Sequence, residues 1–248
     1  MDGSSLCRKP LNMERRNKDM NGENKLPDGI KAALIDMDGV LYDSMPFHAS
    51  AWHQLFLELG VANSNPEEYY LYEGMTGSDT IGMILKRELN QDTSEEERRQ
   101  LYSKKATLFR NCGEAKMMPG AAEMLMALKD LGLNTVLVTG SAQSSLLDGI
   151  EKDYPGYFPK ERRVTALDVE HGKPHPEPYL RGLEKAGVKP EEVIVIENAP
   201  LGVRSGKAAG LFTIAVTTGP IPASAFEKEG ADMIFPDMTT FAKWLKNI

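Results

Sequence analysis

After about residue 30 the chain alternates between two kinds of hydrophobic spacing. The apolar runs AALID, LNTVLVT, VTAL, VIVIE and FTIAV are of strand length. They are mostly rich in β-branched residues and are often followed by Gly, Asp or Asn. Between them lie AAEMLMALKDLG, PEPYLRGLEKAG and PLGVRSGKAAG, which carry helical spacing and each stop at a glycine. Strands and helices in alternation predict an α/β fold, a parallel sheet with helices on both faces. Ligands of such sheets bind at the carboxyl ends of the strands.

One region breaks the alternation. From Met45 to Lys116 no strand is evident. MPFHASAWHQLFLELG puts Ala51, Trp52, Leu55, Phe56 and Leu59 on one helical face. SDTIGMILKREL and SEEERRQLYSKKATLFRNC are helical too, with Glu95 and Arg99 at i,i+4 spacing on a solvated face. A helical insertion after the first strand would stand over the carboxyl ends of the sheet, where a lid belongs. Residues 1–29 are polar, charged and without apolar periodicity, and are expected to be a disordered tail. The expected division is a core of residues 30–44 and 117–248 and a helical cap of residues 45–116.

Composition narrows the function classes. The 248 residues, 41% hydrophobic and 26% charged, suit a soluble globular protein. A net charge of −7 argues against a general nucleic-acid or anionic-membrane binder. Two cysteines, Cys7 and Cys112, make no disulfide framework, so a reducing cytoplasm is expected. No apolar stretch is long enough to span a bilayer, and the N-terminus has no apolar signal-peptide core.

The chemistry concentrates in IDMDGVLYDS. Asp36 and Asp38 share one side of a strand end because side chains alternate with period two. Two such carboxylates repel unless a cation lies between them or one takes a proton. Mg2+ suits an all-oxygen site and keeps water or phosphate oxygens in its shell. One carboxylate could then attack phosphorus, while the other handles the proton of the leaving oxygen and of water. Gly39 allows a sharp turn and a close approach to a ligand. Three more segments add to this. VLVTGS ends a strand with Thr139, Gly140 and Ser141, a hydroxyl and amides that can hold phosphate oxygens. HGKPHPEPY fixes Lys173 in a stiff loop, where it can neutralise phosphate charge. VIVIENAP ends a strand with Glu197 and Asn198, oxygen ligands that could complete a metal site. Singly, each segment also reads as an ordinary turn or helix cap.

Together, and in this order over about residues 31–248, the four segments resemble the haloacid dehalogenase superfamily. The resemblance implies a Rossmann-like core with a helical C1 cap. It implies Asp36 as nucleophile, Asp38 as general acid/base, and Thr139 and Lys173 as phosphate ligands. Mg2+ would be held by Asp36, the Asp38 carbonyl and the last motif. Dehalogenase branches lack the second carboxylate, so Asp38 implies phosphoryl transfer. DSMPFHASAW is similar to the β-phosphoglucomutase-like branch, including a histidine, here His48, that helps gate catalysis and contacts substrate there. As a plain side chain it is a partly buried polar residue one turn before Trp52.

Two positions depart from that branch. The last motif is usually Glu-Asp and here reads Glu197-Asn198. In YEGMTGSDTI, where mutases carry a lysine before the glycine and an arginine three residues after it, this chain has Glu73 and Gly77. Glycine cannot replace a bidentate phosphate clamp. The expectation is that Glu73 swings in with the cap and supplies the acid missing at Asn198, leaving a compact site. EGMTG with IENAPLGV also resembles an inorganic pyrophosphatase branch. The expected activity is Mg2+-dependent hydrolysis of a small phosphorylated substrate, pyrophosphate first. The alternatives are a β-phosphoglucomutase or sugar-phosphate phosphatase, or a non-catalytic phosphate-binding protein. A monomer, without nucleic-acid or membrane partners, is expected. Tyr69, Tyr70 and Tyr72, the methionines, His171, His175 and Arg204 read as structural.

Overall fold

β1 (Ala32–Ile35) is four fully buried residues. Burial on both sides is what a central strand of a two-faced sheet requires. Ala33 and Ile35 join the apolar layer on one face, Ala32 and Leu34 the layer on the other. A computed structural model describes residues 24–141 and 144–248. Residues 1–23 of the expected tail lie outside the described residues.

β2 (Asn134–Val138) and β4 (Val193–Glu197) flank β1, and β5 (Phe212–Val216) continues beyond β4. β3 (Arg163–Val164) and β6 (Met233–Phe235) form the edges, so the order is β3-β2-β1-β4-β5-β6 and every pairing is parallel. The chain leaves β1 for one side of the sheet and later returns to the other. The carboxyl end of β1 is therefore a topological switch point, where a crevice opens. VTAL yields only a two-residue strand, because the turn that follows is already closed by Asp168, which accepts from the Thr165 amide and hydroxyl. β6 is too short for a period to be read, and Pro236 stops it.

The expected helices stop where expected. α4 (Ala121–Asp130), α6 (Glu177–Ala186) and α7 (Pro200–Ala208) run out at Gly132, Gly187 and Gly210, all with φ between 66 and 77°. α5 (Ser144–Asp153), α8 (Ala223–Lys228) and α9 (Met238–Leu245) complete the layers on the sheet.

Residues 45–111 add no strand. α1 (Met45–Glu58), a 3-10 segment (Pro66–Tyr72), α2 (Gly77–Leu89) and α3 (Glu95–Asn111) share an apolar core built on Trp52, Leu55, Phe56, Tyr69, Ile81 and Leu85. A Ser94–Glu97 capping box starts α3. The Glu95–Arg99 pair does not form. Ser78 of α2 donates to Glu95, and Arg99 turns to Glu96. Two lengths of chain tie this block to the sheet, and they hold each other. The Asp43 amide donates to the Lys116 carbonyl (2.9 Å) and the Met118 amide to the Leu41 carbonyl (2.8 Å). No described helix is long and apolar enough to cross a membrane.

Candidate active site

The crevice at the switch point receives three strand ends and one loop. The Asp36 amide still donates to the Ile196 carbonyl, so Asp36 is held in register with β4. The chain then turns on Gly39, at φ +79°, where a Cβ would lie 1.9 Å from Asn198 Nδ2. Only glycine fits there.

Lys173 is the centre of the charge arrangement. Its Nζ donates to Asp36 Oδ1 (2.5 Å), Glu197 Oε1 (2.6 Å) and the Val138 carbonyl (3.1 Å). It is 2% exposed. Burial alone would lower the ammonium pKa, but Asp36 and Glu197 outweigh this and hold it above its ordinary value. The sequence reading places Glu197 among the cation ligands; the structure gives it another task. Oε1 accepts from Lys173 and Tyr179, and Oε2 from the amides of Asn198 and Ala199. Four donors occupy a carboxylate fully, so Glu197 fixes Lys173.

Glu73 stands at this cluster. It is 9% exposed, and both its oxygens accept from Asn198 Nδ2 at 3.1 Å. Burial, then Asp36, Glu197 and Asp38, push its carboxyl well above the usual range, with the Asn198 hydrogen bond opposing. Asp36 is raised from 3.8 to about 8, by burial first, against Lys173, with Glu197 and Asp38 adding. The sequence reading has Asn198 offer its amide oxygen to a metal. Here its nitrogen faces Glu73, and Oδ1 is buried without a partner. Two raised, buried acids and an orphaned amide oxygen, 4% exposed as a residue, are what a hard cation relieves. Among the described residues no three His, Cys, Asp or Glu side chains form a cage by themselves.

Asp38 sits on the other side. Ser44 Oγ donates to its Oδ1 (2.5 Å), and His48 Nε2 lies 3.0 Å from the same oxygen. Behind His48, Lys105 Nζ is 2.5 Å from Nδ1. An ammonium can only donate, so Nδ1 accepts and Nε2–H donates to Asp38. Burial would raise Asp38, but His48, Ser44 and Lys105 bring it below its ordinary value. His48 is lowered by burial and by Lys105, against Asp38. Burial takes Lys105 down to about 7. The sequence reading misses Lys105, though a signal exists: it lies in the apolar stripe of α3, four residues after Leu101 and four before Phe109. Its ammonium stands 4.9 Å from the Trp52 ring and 5.2 Å from the Phe109 ring.

Thr139 and Ser141, both buried, line the same cavity with Gly140, His48 and Glu73. Thr139 Oγ1 accepts from the Ser141 amide (3.0 Å). The helical block closes against the core by glycine contacts. A Cβ on Gly140 would meet the Gly74 carbonyl at 2.6 Å, and one on Gly74 would meet Lys173 Cδ at 2.8 Å. The cavity left is about 60 Å³. Tyr69 and Tyr72 line it, while Tyr70 faces elsewhere. The His171 and His175 rings lie 4.7 Å apart, tilted by 56°, and Arg204 pairs with Glu229 at the surface.

Strand order, the paired aspartates at the switch point and the helical block above them define a Rossmann-like α/β protein with a buried, charged crevice. The chain belongs to the haloacid dehalogenase-like hydrolase family, whose model matches residues 30–210. Hexitol phosphatase A of Escherichia coli K12 is 33% identical over 187 residues, 75% of this chain and 82% of that protein. Glycerol-1-phosphate phosphohydrolase 2 of Saccharomyces cerevisiae is 30% identical over 219 residues, 83% and 81%. A Bacteroides vulgatus structure, provisionally described as a beta-phosphoglucomutase, is 48% identical with a TM-score of 0.83, covering 88% of this chain and 89% of that one.

Proposed function

We propose that the protein is a Mg2+-dependent phosphohydrolase that works through an aspartyl-phosphate on Asp36, with inorganic pyrophosphate as its substrate. Residues 45–116 act as the cap. Asp36, the Asp38 carbonyl, Asn198 after its amide turns over, and Glu73 would hold the ion, which supplies charge neutralisation for the transferring phosphoryl group.

Asp36 attacks phosphorus in line from a position fixed by Lys173 and the β4 ladder. Thr139, Ser141 and the amide of Gly140 receive the phosphoryl oxygens. Lys173 stabilises the developing charge. The arriving phosphate anion raises the neighbouring Asp38, which takes up a proton from solvent and gives it to the leaving oxygen. Ionised again by His48 and Ser44, it takes a proton from the water that hydrolyses the aspartyl-phosphate.

The observation that carries the substrate is at Gly77. A Cβ there would lie 2.0 Å from Tyr102 Cδ2 and 2.2 Å from Cε2. The ring fills the space that an arginine clamp for a distal sugar phosphate would need. With Glu73 turned to Asn198 and the Tyr102 ring against Gly77, the site favours a compact anion over a hexose. The printed activities of the relatives favour a second reading, a sugar- or polyol-phosphate phosphatase. The mutase reading loses both cap cations.

Glu73 is the direct test. Glu73→Ala is expected to raise the Mg2+ concentration for half-maximal activity by about tenfold, the order seen when a partner of a metal site is lost. Unchanged Mg2+ dependence together with unchanged turnover would contradict the assignment.

A further inference from the structure

We propose that the cation position has its own opening to solvent, separate from the substrate cavity, through which a hydrated divalent cation enters and leaves while the helical block stays closed. The proposal rests on the metal reading above.

Asn198 forms the partition. Its Nδ2 bonds to Glu73, which lines the substrate cavity, yet Asn198 itself lines a different cavity of about 200 Å³. Of their lining residues the two cavities share Met45 alone. The second cavity has a buried floor of Gly39 and Asn198 and an exposed rim of Asp43, Gly219 and Pro220. Tyr70 is its wall on the side of the helical block, with its ring 3.3 Å from where a Cβ on Gly219 would be. The floor holds the residue with the orphaned oxygen, Asn198 Oδ1.

Size and charge say what passes. The space admits several waters at once, as an ion that gives up its water reluctantly requires. Asp43 is exposed at the mouth and Glu73 lies behind the partition, so the path attracts a cation and repels phosphate. On the substrate side the Gly74–Gly140 and Thr76–Gly172 contacts hold the helical block against the core.

The test locks the cap. A Cβ on Gly172 would lie 2.7 Å from Thr76 Cγ2 and 2.9 Å from the Thr76 amide nitrogen, so cysteines at these two positions would face each other across the contact. Thr76→Cys and Gly172→Cys are introduced into the full chain with Cys7 and Cys112 changed to Ser. Mn2+ uptake, and its release to a chelator, are followed by the EPR signal of free Mn2+. The oxidised, locked protein is expected to exchange Mn2+ within about threefold of the reduced rate, and Asp43→Lys in that background to slow uptake at least about fivefold. A locked protein that exchanges Mn2+ only after reduction overturns the proposal. A reduced protein that binds no Mn2+ overturns the metal reading and this proposal with it. Should the disulfide not form, Asp43→Lys is measured in the unlinked chain under saturating inorganic phosphate. Slower uptake supports the route, and an unchanged rate overturns it.

Discussion

His48, with Lys105 behind it, sets what Asp38 can do. A carboxylate in so dry a place would ordinarily keep its proton, and the Lys105–His48 chain is what holds it ionised and aimed. Lys105 acts through His48 and is a positioning residue. Lys105→Met, similar in length and apolar, is expected to lower kcat by about a hundredfold, the low end of general acid–base contributions, and to move the limb of the pH–rate profile that belongs to Asp38. A kcat loss with an unmoved profile would make Lys105 merely structural. The strand-end aspartates and the loop lysine are legible because strand period and flanking glycine or proline dictate their places. Lys105 is harder to read: its place in the apolar stripe of α3 is a signal, but its partner lies 57 residues earlier and a lysine in a charged helix reads as surface. Likewise Glu197 reads as a ligand until its four donors are seen.

At the scale of elements, α3 shapes the site from above. Tyr102 and Lys105 stand on one face, the ring against Gly77 and the ammonium against His48. Tyr102→Ala is expected to raise kcat/KM for glucose-6-phosphate relative to pyrophosphate by about tenfold, the scale of a pocket-size change. A ratio that stays put would remove Tyr102 as the size limit. The helices and central strands can be read from spacing and glycine stops. The lengths of β3 and β6 cannot, since an edge strand is set by the turn that ends it and by its neighbour. Nor can spacing show that the insertion brings Glu73 to Asn198, a contact across 125 residues.

Across the whole molecule, the buried acids couple stability to pH and, on the proposed metal reading, to a cation. Asp36 titrates at about 8 when folded against an ordinary 3.8, because burial penalises its charge. Between those values the unfolded chain has shed a proton that the fold keeps. The stability from this group is complete below 3.8 and lost as pH rises towards 8. A cation bound at the ionised cluster offsets that loss. Mg2+ is therefore expected to raise Tm more at about pH 8 than at about pH 5 in thermal melts, and an equal rise at both would argue against a cation at Asp36. The central claim is a closed site built for a compact phosphate anion. Phosphate release with Mg2+ across pyrophosphate, β-glucose-1-phosphate, glucose-6-phosphate and p-nitrophenyl phosphate tests it most directly. The account predicts the highest kcat/KM for pyrophosphate; a higher value for either sugar phosphate would contradict it.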